Sequence, residues 1–571
     1  MSDEVAGGLD EPAGLQPRQG TLHLATDQDT ATRADWEAAA AGVLRRSRRL
    51  SESDPDSAVW GALTHTTYDG VAVPPLGTRD LLAGLQASGR PTRAGGWDVR
   101  VRHTGDREAA LDELRHGATS LWLMASRVTP ADLPAALDGV RLDIAPVVLH
   151  EPTLAHAEAL VNLAELHPEA NLGAVRDEDA VAFVALARAA GTRALVLDGT
   201  AVHERGASDG QELGWVLARG AALLRSLENA GTPPAEALPL FELRMAATDE
   251  QFQTIAKLRA ARRLWSRLAE LCGVADPRTR IHAVTSGVMT SAYDVHVNLL
   301  RTTVAAFAAG VGGADALTTV PFDEPTGEVS AMGRRLSRNI SALLVEESHV
   351  ARVADPAGGA YAVERLTGDV CRAAWEELGR IERDGLPAFD VRVAEVAARR
   401  DHDVATRARA ITGLSEFPNL ADPQPSRPDG AGRWGAAFEA LRATPPTAHV
   451  FLATLGPVAQ HTARAGFAAN LLAAGGIGVD PAGATNGIED LTAAYDGQTV
   501  VCLAGTDAAY AEWGSEAADA LRSAGAARVL VVSTGSTDGR ASSEGLTWAD
   551  DVFCPGDDAV AFLTRTREAL R

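Results

Sequence analysis

One predicted helix, Glu250–Cys272, carries basic residues whose types suit a phosphate group. They lie on the face that its apolar residues leave free: Lys257, Arg259, Arg262 and Arg267. Guanidinium and ammonium groups bind phosphate oxygens well, so a phosphate-binding helix is one interpretation. Spacing alone favours the other interpretation, a helix face that is solvated or that contacts another element.

Other candidate chemistry is sparse. The pair His203-Glu204 falls in a predicted loop after a strand, where a barrel places its chemistry, but an isolated pair is more often a surface feature, which is our prediction. The cluster Gly310–Gly313 lacks the preceding strand and following helix of a dinucleotide site, so we predict a helix end there. Neither a P-loop nor a GxSxG or HExxH motif occurs.

The bulk composition excludes several classes of function. The formal net charge of −23 disfavours nucleic acids and anionic membranes as partners. No CxxC pair occurs, so we expect no zinc site and no disulfide framework. No signal peptide and no apolar run of about 18 residues is present, so we predict a cytoplasmic protein without a membrane span. The four cysteines are Cys272, Cys371, Cys502 and Cys554.

Strand-like and helical segments alternate from Trp97 onward, and about eight such units in about 240 residues are typical of a closed (β/α)₈ TIM-type barrel. An open doubly wound sheet with extra strands remains the alternative. The predicted strands are Trp97–Val101, Ser120–Met124, Ala145–Leu149, Leu172–Val175, Ala194–Leu197, Leu238–Leu243, Ile281–Thr285 and Ala316–Val320.

A second α/β domain follows a Pro- and Gly-rich linker. Its strands are continuously apolar and alternate with helices, which indicates a parallel, flavodoxin-like sheet. The predicted organisation is a disordered N-terminus at 1–22, an extended N-terminal arm at 23–90, the barrel with trailing helices at 91–410, the linker at 411–446 and the flavodoxin-like domain at 447–571.

Three long segments resemble the methylmalonyl-CoA mutase family. They are IAKLRAARRLW at Ile255–Trp265, the stretch Ser291–Pro325 that begins SAYDVHVNLLRTTV, and the stretch Arg334–Thr367 that contains ESHVARVADPAGGAYAVERLT. The resemblance covers nearly the whole chain. It implies an N-terminal arm, a barrel threaded by coenzyme A and a flavodoxin-like cobalamin domain, which agrees with the organisation predicted above.

Catalytic members of this family carry a DxHxxG motif after the first strand of the last domain, here His449–Leu455. The histidine is the lower cobalt ligand, the aspartate orients it, and the glycine makes room for the nucleotide tail. Aligned on Gly456, these positions hold Val458, Gln460 and Ala463. The resemblance therefore implies a degenerate motif, and we expect this chain to bind no cofactor and no metal.

His461 is the one histidine close to that motif. A shift of one residue makes it the ligand, but Ala459 then replaces the aspartate and Arg464 the glycine. A histidine without its orienting carboxylate is more often a surface residue, which is our interpretation. Later cobalamin positions, Cys502–Ala504 and Ser533–Gly535, also depart from the family pattern of Ser-x-Leu and paired glycines.

The barrel positions that the resemblance makes catalytic are changed as well. Catalytic members carry Ser-Gly-Tyr-His where this chain has Asp198–Ala201, so Thr200 replaces the tyrosine and Ala201 the histidine. The family's arm motif, which contains a tyrosine as well as Arg-Pro-Trp, is reduced here to Thr92–Trp97. In catalytic members the tyrosine and histidine of the barrel run contact the substrate, so the resemblance implies that both sites have lost their chemistry.

The resemblance thus implies the small, non-catalytic subunit of a bacterial heterodimer. Its partner would be a homologous catalytic large subunit that holds adenosylcobalamin and interconverts methylmalonyl-CoA and succinyl-CoA. Two alternatives stay open. In the first alternative, the chain is itself an active cobalamin-dependent mutase. In the second, its last domain binds flavin or a nucleotide. Against the second, the loop Gly456–Thr462 lacks a Ser/Thr-rich phosphate cradle.

Overall fold

The computed structural model describes residues 30–47, 49–85, 93, 95–176, 178–426, 432–533 and 546–571. The predicted disordered segment, 1–22, lies outside these residues. The described chain divides into two compact units, one ending at His65 and one running from Thr66 to Arg571. Within the described residues, no helix has the length and apolar character needed to cross a membrane.

The first unit is small and mainly helical. Helix α1 (Arg33–Arg46) begins at Thr32, whose side chain and Asp35 form a capping box. A 3₁₀ turn leads into α2 (Val59–Leu63), and the rings of Trp36 and Trp60 lie 4.8 Å apart between the two helices.

The second unit begins with the extended arm and then forms the barrel. Two short strands, β1 (His65–Thr66) and β2 (Ala72–Val73), belong to the arm. Eight parallel strands follow, and β10 pairs with β3 to close the ring, so the predicted barrel is confirmed and the open sheet is wrong. The barrel strands are β3 (Asp98–His103), β4 (Ser120–Met124), β5 (Val147–His150), β6 (Asn171–Ala174), β7 (Arg193–Asp198), β8 (Phe241–Ala247), β9 (Ile281–Thr285) and β10 (Ala316–Thr318).

Helices surround the barrel because each crossover between parallel strands must cover the apolar outer face of the sheet. They are α3 (Arg107–Arg115), α4 (Leu133–Ala136), α5 (Leu154–Val161), α6 (Ala180–Ala190), α7 (Thr200–Glu204), α8 (Asp209–Asn229), α9 (Pro234–Ala237), α10 (Gln251–Leu271) and α11 (Val297–Val311). Helix α11 ends as predicted, since Gly313 has a φ of 89° just beyond it.

The basic residues of α10 make ion pairs with other elements, which favours the second of our two interpretations. Lys257 and Arg259 are fully buried. Their partners lie on α8 and on a helix further along the chain: the Lys257 ammonium is 2.7 Å from Glu212, and Arg259 Nη2 is 2.6 Å from Glu364. Arg267 is exposed and pairs only within the helix, with Glu270.

The chain then leaves the barrel through trailing helices. Helix α12 (Ala331–Ala342) continues into a π-helical turn, Leu343–Glu347. Helix α13 (Tyr361–Ala405) is kinked where Gly385 has φ 80° and ψ 172°, two residues before Pro387. The segment predicted as a linker contains a further helix, α14 (Ala436–Arg442).

The last part of the chain is a five-stranded parallel sheet with the strand order β12-β11-β13-β14-β15. Numbered from its own first strand this is 2-1-3-4-5, the flavodoxin-like order, as predicted. The strands are β11 (Val450–Thr454), β12 (Val479–Pro481), β13 (Val500–Ala504), β14 (Arg528–Val532) and β15 (Asp551–Phe553), and the helices are α15 (Val458–Ala474), α16 (Ile488–Ala494), α17 (Asp507–Ala509), α18 (Ser515–Ala524) and α19 (Ala559–Ala569).

Candidate functional site

Charged side chains fill the lumen of the barrel near the amino ends of its strands. Arg100 on β3 and Glu242 on β8 are both fully buried, and Nη1 of Arg100 lies 2.8 Å from Oε1 of Glu242. Arg100 Nε also donates to the Ser120 hydroxyl at 3.2 Å. Arg280 Nε lies 3.4 Å from the second Glu242 oxygen. The guanidinium groups hold the Glu242 pKa below its usual value, although burial alone would raise it.

The same network continues upward to the carboxyl ends of the strands. Arg244 Nε donates to Nδ1 of His282 at 3.2 Å, and its Nη1 is 2.6 Å from the Asp198 carboxylate. His150 Nδ1 lies 3.2 Å from the same Nη1. The Arg244 guanidinium stacks on Trp122, with its carbon 4.4 Å from the ring centroid. Side chains therefore occupy the barrel axis from one end to the other.

A cavity of about 550 Å³ lies above this network, at the barrel mouth. The resemblance placed the lost catalytic pair here, and both Thr200 and Ala201 line the cavity. The Thr200 hydroxyl donates to Asp198 at 2.5 Å, which ties it down to the network. Ala201 is exposed at the start of α7 and offers a methyl group only. The two positions named by the resemblance therefore lie at the barrel mouth, and the side chain of Ala201 has no proton to donate.

Electrostatics at the mouth favour fixed charges over proton transfer near neutral pH. Burial, followed by the Arg244 charge, lowers the pKa of His150 to about 4, so its imidazole is neutral. Burial would raise the pKa of Asp198, but Arg244 and the Thr200 hydroxyl outweigh it, and the pKa lies below the usual value. Burial and the Asp198 charge raise the pKa of Glu204.

The arm motif next to the barrel has a structural role in the part that the structure describes. Arg93 is buried, and its Nη1 donates to the carbonyls of Gly310 and Ala314, at 3.0 Å each. The indole N–H of Trp97 donates to the Ser341 hydroxyl at 3.3 Å. Thr92 and Ala94 lie outside the described residues.

The second candidate site is the loop after β11, where the resemblance placed a degenerate cobalamin motif. The chain turns at Gly456, and helix α15 begins at Val458, so the three motif positions lie in its first turns. All three side chains are exposed: Val458, Gln460 and Ala463. The three positions therefore offer no carboxylate, no imidazole and no glycine at the carboxyl edge of the sheet.

His461 is buried, so our interpretation of it as a surface residue is wrong. Only 7% of the residue is exposed, and Nδ1 lies 3.0 Å from the carbonyl oxygen of Gly456. The contact requires Nδ1 to carry the proton. The imidazole thereby ties the first turn of α15 to the loop before it.

The crevice between β11 and β13 is where an open sheet of this order binds its ligand. Here Leu455 lies against Gly505 so closely that a Cβ on the glycine would come within 2.9 Å of the leucine Cβ. Arg464, which is buried, donates to the Gly505 carbonyl at 2.5 Å. The Tyr510 hydroxyl lies 2.9 Å from the Val532 carbonyl and 3.2 Å from the Gly505 amide. The chain's own side chains close this crevice.

The later cobalamin-type positions are only partly described. Cys502 and Ala504 are fully buried within β13, and Ser533 is buried just after β14. Burial raises the pKa of the Cys502 thiol to about 12. Thr534 and Gly535 lie outside the described residues.

Sequence reasoning missed a buried ionic cluster beside the barrel, around Lys257. Asp209 and Glu212 on α8 both contact its ammonium group. His203 lies next to the cluster and is buried, with Nε2 2.7 Å from the Ser286 hydroxyl. The prediction of a surface pair at His203-Glu204 is therefore wrong for His203, whereas Glu204 is exposed. The sequence pattern placed Lys257 on the face that the apolar residues leave free, so it gave no signal that this lysine is buried and needs a buried partner.

Comparisons with known proteins agree with this architecture. A family model described as methylmalonyl-CoA mutase matches residues 176–436. The methylmalonyl-CoA mutase small subunit of Streptomyces virginiae is 41% identical, over 96% of this chain and 98% of that protein. The small subunit of Propionibacterium freudenreichii subsp. shermanii is 32% identical, over 96% of each chain. The mitochondrial methylmalonyl-CoA mutase of Bos taurus is 33% identical over 39% of this chain and 31% of that protein.

Proposed function

The chain belongs to the methylmalonyl-CoA mutase family, and from that premise we propose that it is a non-catalytic small subunit. It pairs with a homologous catalytic large subunit and stabilises it. The large subunit holds adenosylcobalamin and interconverts methylmalonyl-CoA and succinyl-CoA. A duplicated fold favours such a pair, because two similar chains bring similar surfaces to a pseudo-twofold interface.

The closed crevice at the carboxyl edge of the C-terminal sheet carries this proposal. Cobalamin without its benzimidazole ligand needs an imidazole from the protein and room for a nucleotide tail. In this chain Leu455 and Arg464 occupy the crevice, and Val458, Gln460 and Ala463 supply no oriented nitrogen ligand. The residues present do not fit the cofactor, so no step of a radical rearrangement is assigned to this chain.

The barrel gives independent support. An acyl-CoA threaded along the axis would have to displace Arg100 and Glu242, whose ion pair is fully buried. Separating such a pair leaves an uncompensated charge in a low-dielectric interior, at a cost of about 3–5 kcal/mol. The filled lumen therefore favours a structural role for this barrel.

Purification of the complex tests the proposal. A tagged form of this chain, coexpressed with an untagged catalytic homologue, should retain that homologue, and the complex should contain one cobalamin per two chains. Two cobalamins per pair, or a chain that remains alone, would overturn the proposal.

The alternative of an active mutase ligated by His461 has its own test. The isolated chain titrated with hydroxocobalamin should show no spectral change, and His461→Ala should behave in the same way. Binding by the natural chain that disappears in the variant would establish the alternative.

A further inference from the structure

A tight turn of the arm rests on the amino end of helix α8. The turn runs from Thr67 to Val71, and the Thr67 amide donates to the Val71 carbonyl at 2.9 Å. Its side chain Asp69 accepts a hydrogen bond from the Ser208 hydroxyl at 2.5 Å and one from the Gly210 amide at 3.1 Å. One half-buried carboxylate therefore joins the arm to the barrel.

The contact leaves no room for a side chain at Gly210. A Cβ there would come within 2.6 Å of the Asp69 carboxylate. The two donors also flank Asp209 in the sequence, so two carboxylates share the first turn of one helix. This helix end is shaped to receive Asp69 at short range.

The charges around this contact do not balance. Asp209 and Glu212 both contact the Lys257 ammonium, at 2.8 Å and 2.7 Å. Asp69 makes no ion pair closer than 4.0 Å among those that the structure describes. One buried carboxylate, Glu212, and two half-buried ones, Asp69 and Asp209, therefore face one buried ammonium. Asp69 is therefore the carboxylate whose negative charge is least stabilised by the ammonium group.

The elements packed against Asp69 do not correct this imbalance. His203 is neutral, because burial and then the Lys257 charge lower its pKa well below the usual value. Arg400 on α13 donates to the carbonyls of Gly206 and Ala207 and keeps its positive charge, but it forms no ion pair with Asp69 among those that the structure describes. Eight more charged groups line the two small cavities beside Asp69. Six of them pair among themselves or with the backbone: Glu250, Glu377, Arg380, Arg392, Arg399 and Arg409. The other two, Glu376 and Glu395, are exposed.

The titration of Asp69 agrees with this geometry. Burial, and then repulsion by Asp209, raise its pKa to about 6, while the bonds from Ser208 and Gly210 oppose the shift. A carboxyl group with a raised pKa in the docked state binds a proton that the undocked state releases. The turn is therefore held most firmly at low pH, and docking weakens as the pH rises through about 6.

We propose that the Thr67–Val71 turn is a proton-dependent latch, through which uptake of one proton by Asp69 fastens the arm to the amino end of helix α8. The latch loosens as the pH rises toward neutral, without unfolding of the barrel. It thereby gives the arm a mobility that depends on pH and that the barrel and the C-terminal sheet do not share.

Hydrogen exchange of the full-length chain tests the latch. Protection factors of the Thr67 and Gly70 amides, corrected for the intrinsic exchange rate, should fall roughly 25-fold between about pH 4.5 and about pH 7.5. Barrel amides such as that of Leu243 serve as the reference. In Asp69→Asn, which carries no titrating proton, the pH dependence should disappear.

Two further variants distinguish the effect of protonating Asp69 from the effect of the hydrogen bonds that hold the turn. Asp403→Asn weakens the hydrogen bond from the Tyr68 hydroxyl and should lower protection equally at both pH values. Ser208→Ala removes a donor to the charged carboxylate and should steepen the fall, which keeps the test valid if Asp69→Asn does not fold. An unchanged slope in Ser208→Ala, or a slope that persists in Asp69→Asn, would overturn the latch.

Discussion

The barrel mouth and the carboxyl edge of the C-terminal sheet are the two places where this fold would bind a substrate and a cofactor. The barrel is closed by a long charged network that links strands distant in sequence, from Arg100 through Glu242 and Arg244 to Asp198. The sheet edge is closed by one leucine and one arginine, Leu455 and Arg464, from a single loop and helix.

This contrast separates two ways in which side chains fill a potential binding site. A buried network is interdependent, because each charge has been removed from water on account of its neighbours. At the sheet edge each side chain fills its own space, so the replacement of one side chain should leave the others in place. We therefore expect the barrel to respond strongly to single substitutions and the sheet edge to respond weakly.

The largest effect is expected for Glu242→Gln. The substitution leaves Arg100 and Arg280 without their shared counter-charge in the lumen, so the free energy of unfolding should fall by about 3–5 kcal/mol. Denaturant titration measures it. Glu270→Gln, on the exposed pair with Arg267, is the matched control and should cost less than about 1 kcal/mol. Equal effects of the two variants would contradict the interdependence of the barrel network.

The second effect is a pH dependence that arises at the barrel mouth. The pKa of His150 is lowered from 6.5 to about 4, so the unfolded chain takes up a proton there before the folded chain does. Stability from this group is full above pH 6.5 and is lost as the pH falls toward 4, by about 2 kcal/mol between pH 7 and pH 5. Denaturant titrations of the natural chain and of His150→Asn should differ by this amount in their pH dependence; parallel profiles would refute the assignment.

A smaller effect is expected at the sheet edge for Arg464→Leu. The Gly505 carbonyl loses a charged donor, and the apolar replacement keeps the volume, so the cost should be about 1–2 kcal/mol. Thermal unfolding followed by near-ultraviolet circular dichroism measures it. Arg565→Leu, on a more exposed pair with Asp551, is the control. A loss as large as that of Glu242→Gln would remove the distinction between the two regions.

The smallest effect is expected when the cobalamin motif is restored by Val458→Asp, Gln460→His and Ala463→Gly together. All three positions are exposed, so the cost should be about 1 kcal/mol, mainly from a glycine within helix α15. Because Leu455 and Arg464 still fill the crevice, hydroxocobalamin should produce no spectral change. Stoichiometric binding would mean that the crevice opens and that the motif alone had been missing.

The sequence predicted the strands more fully than the sites. The buried strands Ser120–Met124 and Ile281–Thr285 were predicted to the residue, because apolar runs between turns are a strong signal. Strand β12 gives a weak signal, since it has three residues, is partly exposed and ends in Pro481. The π-helical turn at Tyr510–Gly514 is a feature that hydrophobic periodicity does not register.

The contacts that fill the barrel lumen and the sheet edge could not be predicted from the sequence. Arg100 and Glu242 are 142 residues apart, and only the closed ring of strands brings them together. A clue existed in the alternation of Asp98, Arg100 and Arg102 along β3, where every second residue faces the lumen. The burial of His461 was missed for a similar reason, because its contact depends on how tightly the chain turns at Gly456.

Cys502 gives the C-terminal sheet an internal reporter. Its thiol is fully buried in the central strand and its pKa is raised to about 12, so almost no thiolate exists for an alkylating reagent to meet. Modification then requires the strand to separate from its neighbours. The rate of labelling at this one sulfur, read by mass spectrometry, therefore records how often the sheet opens while the barrel remains intact.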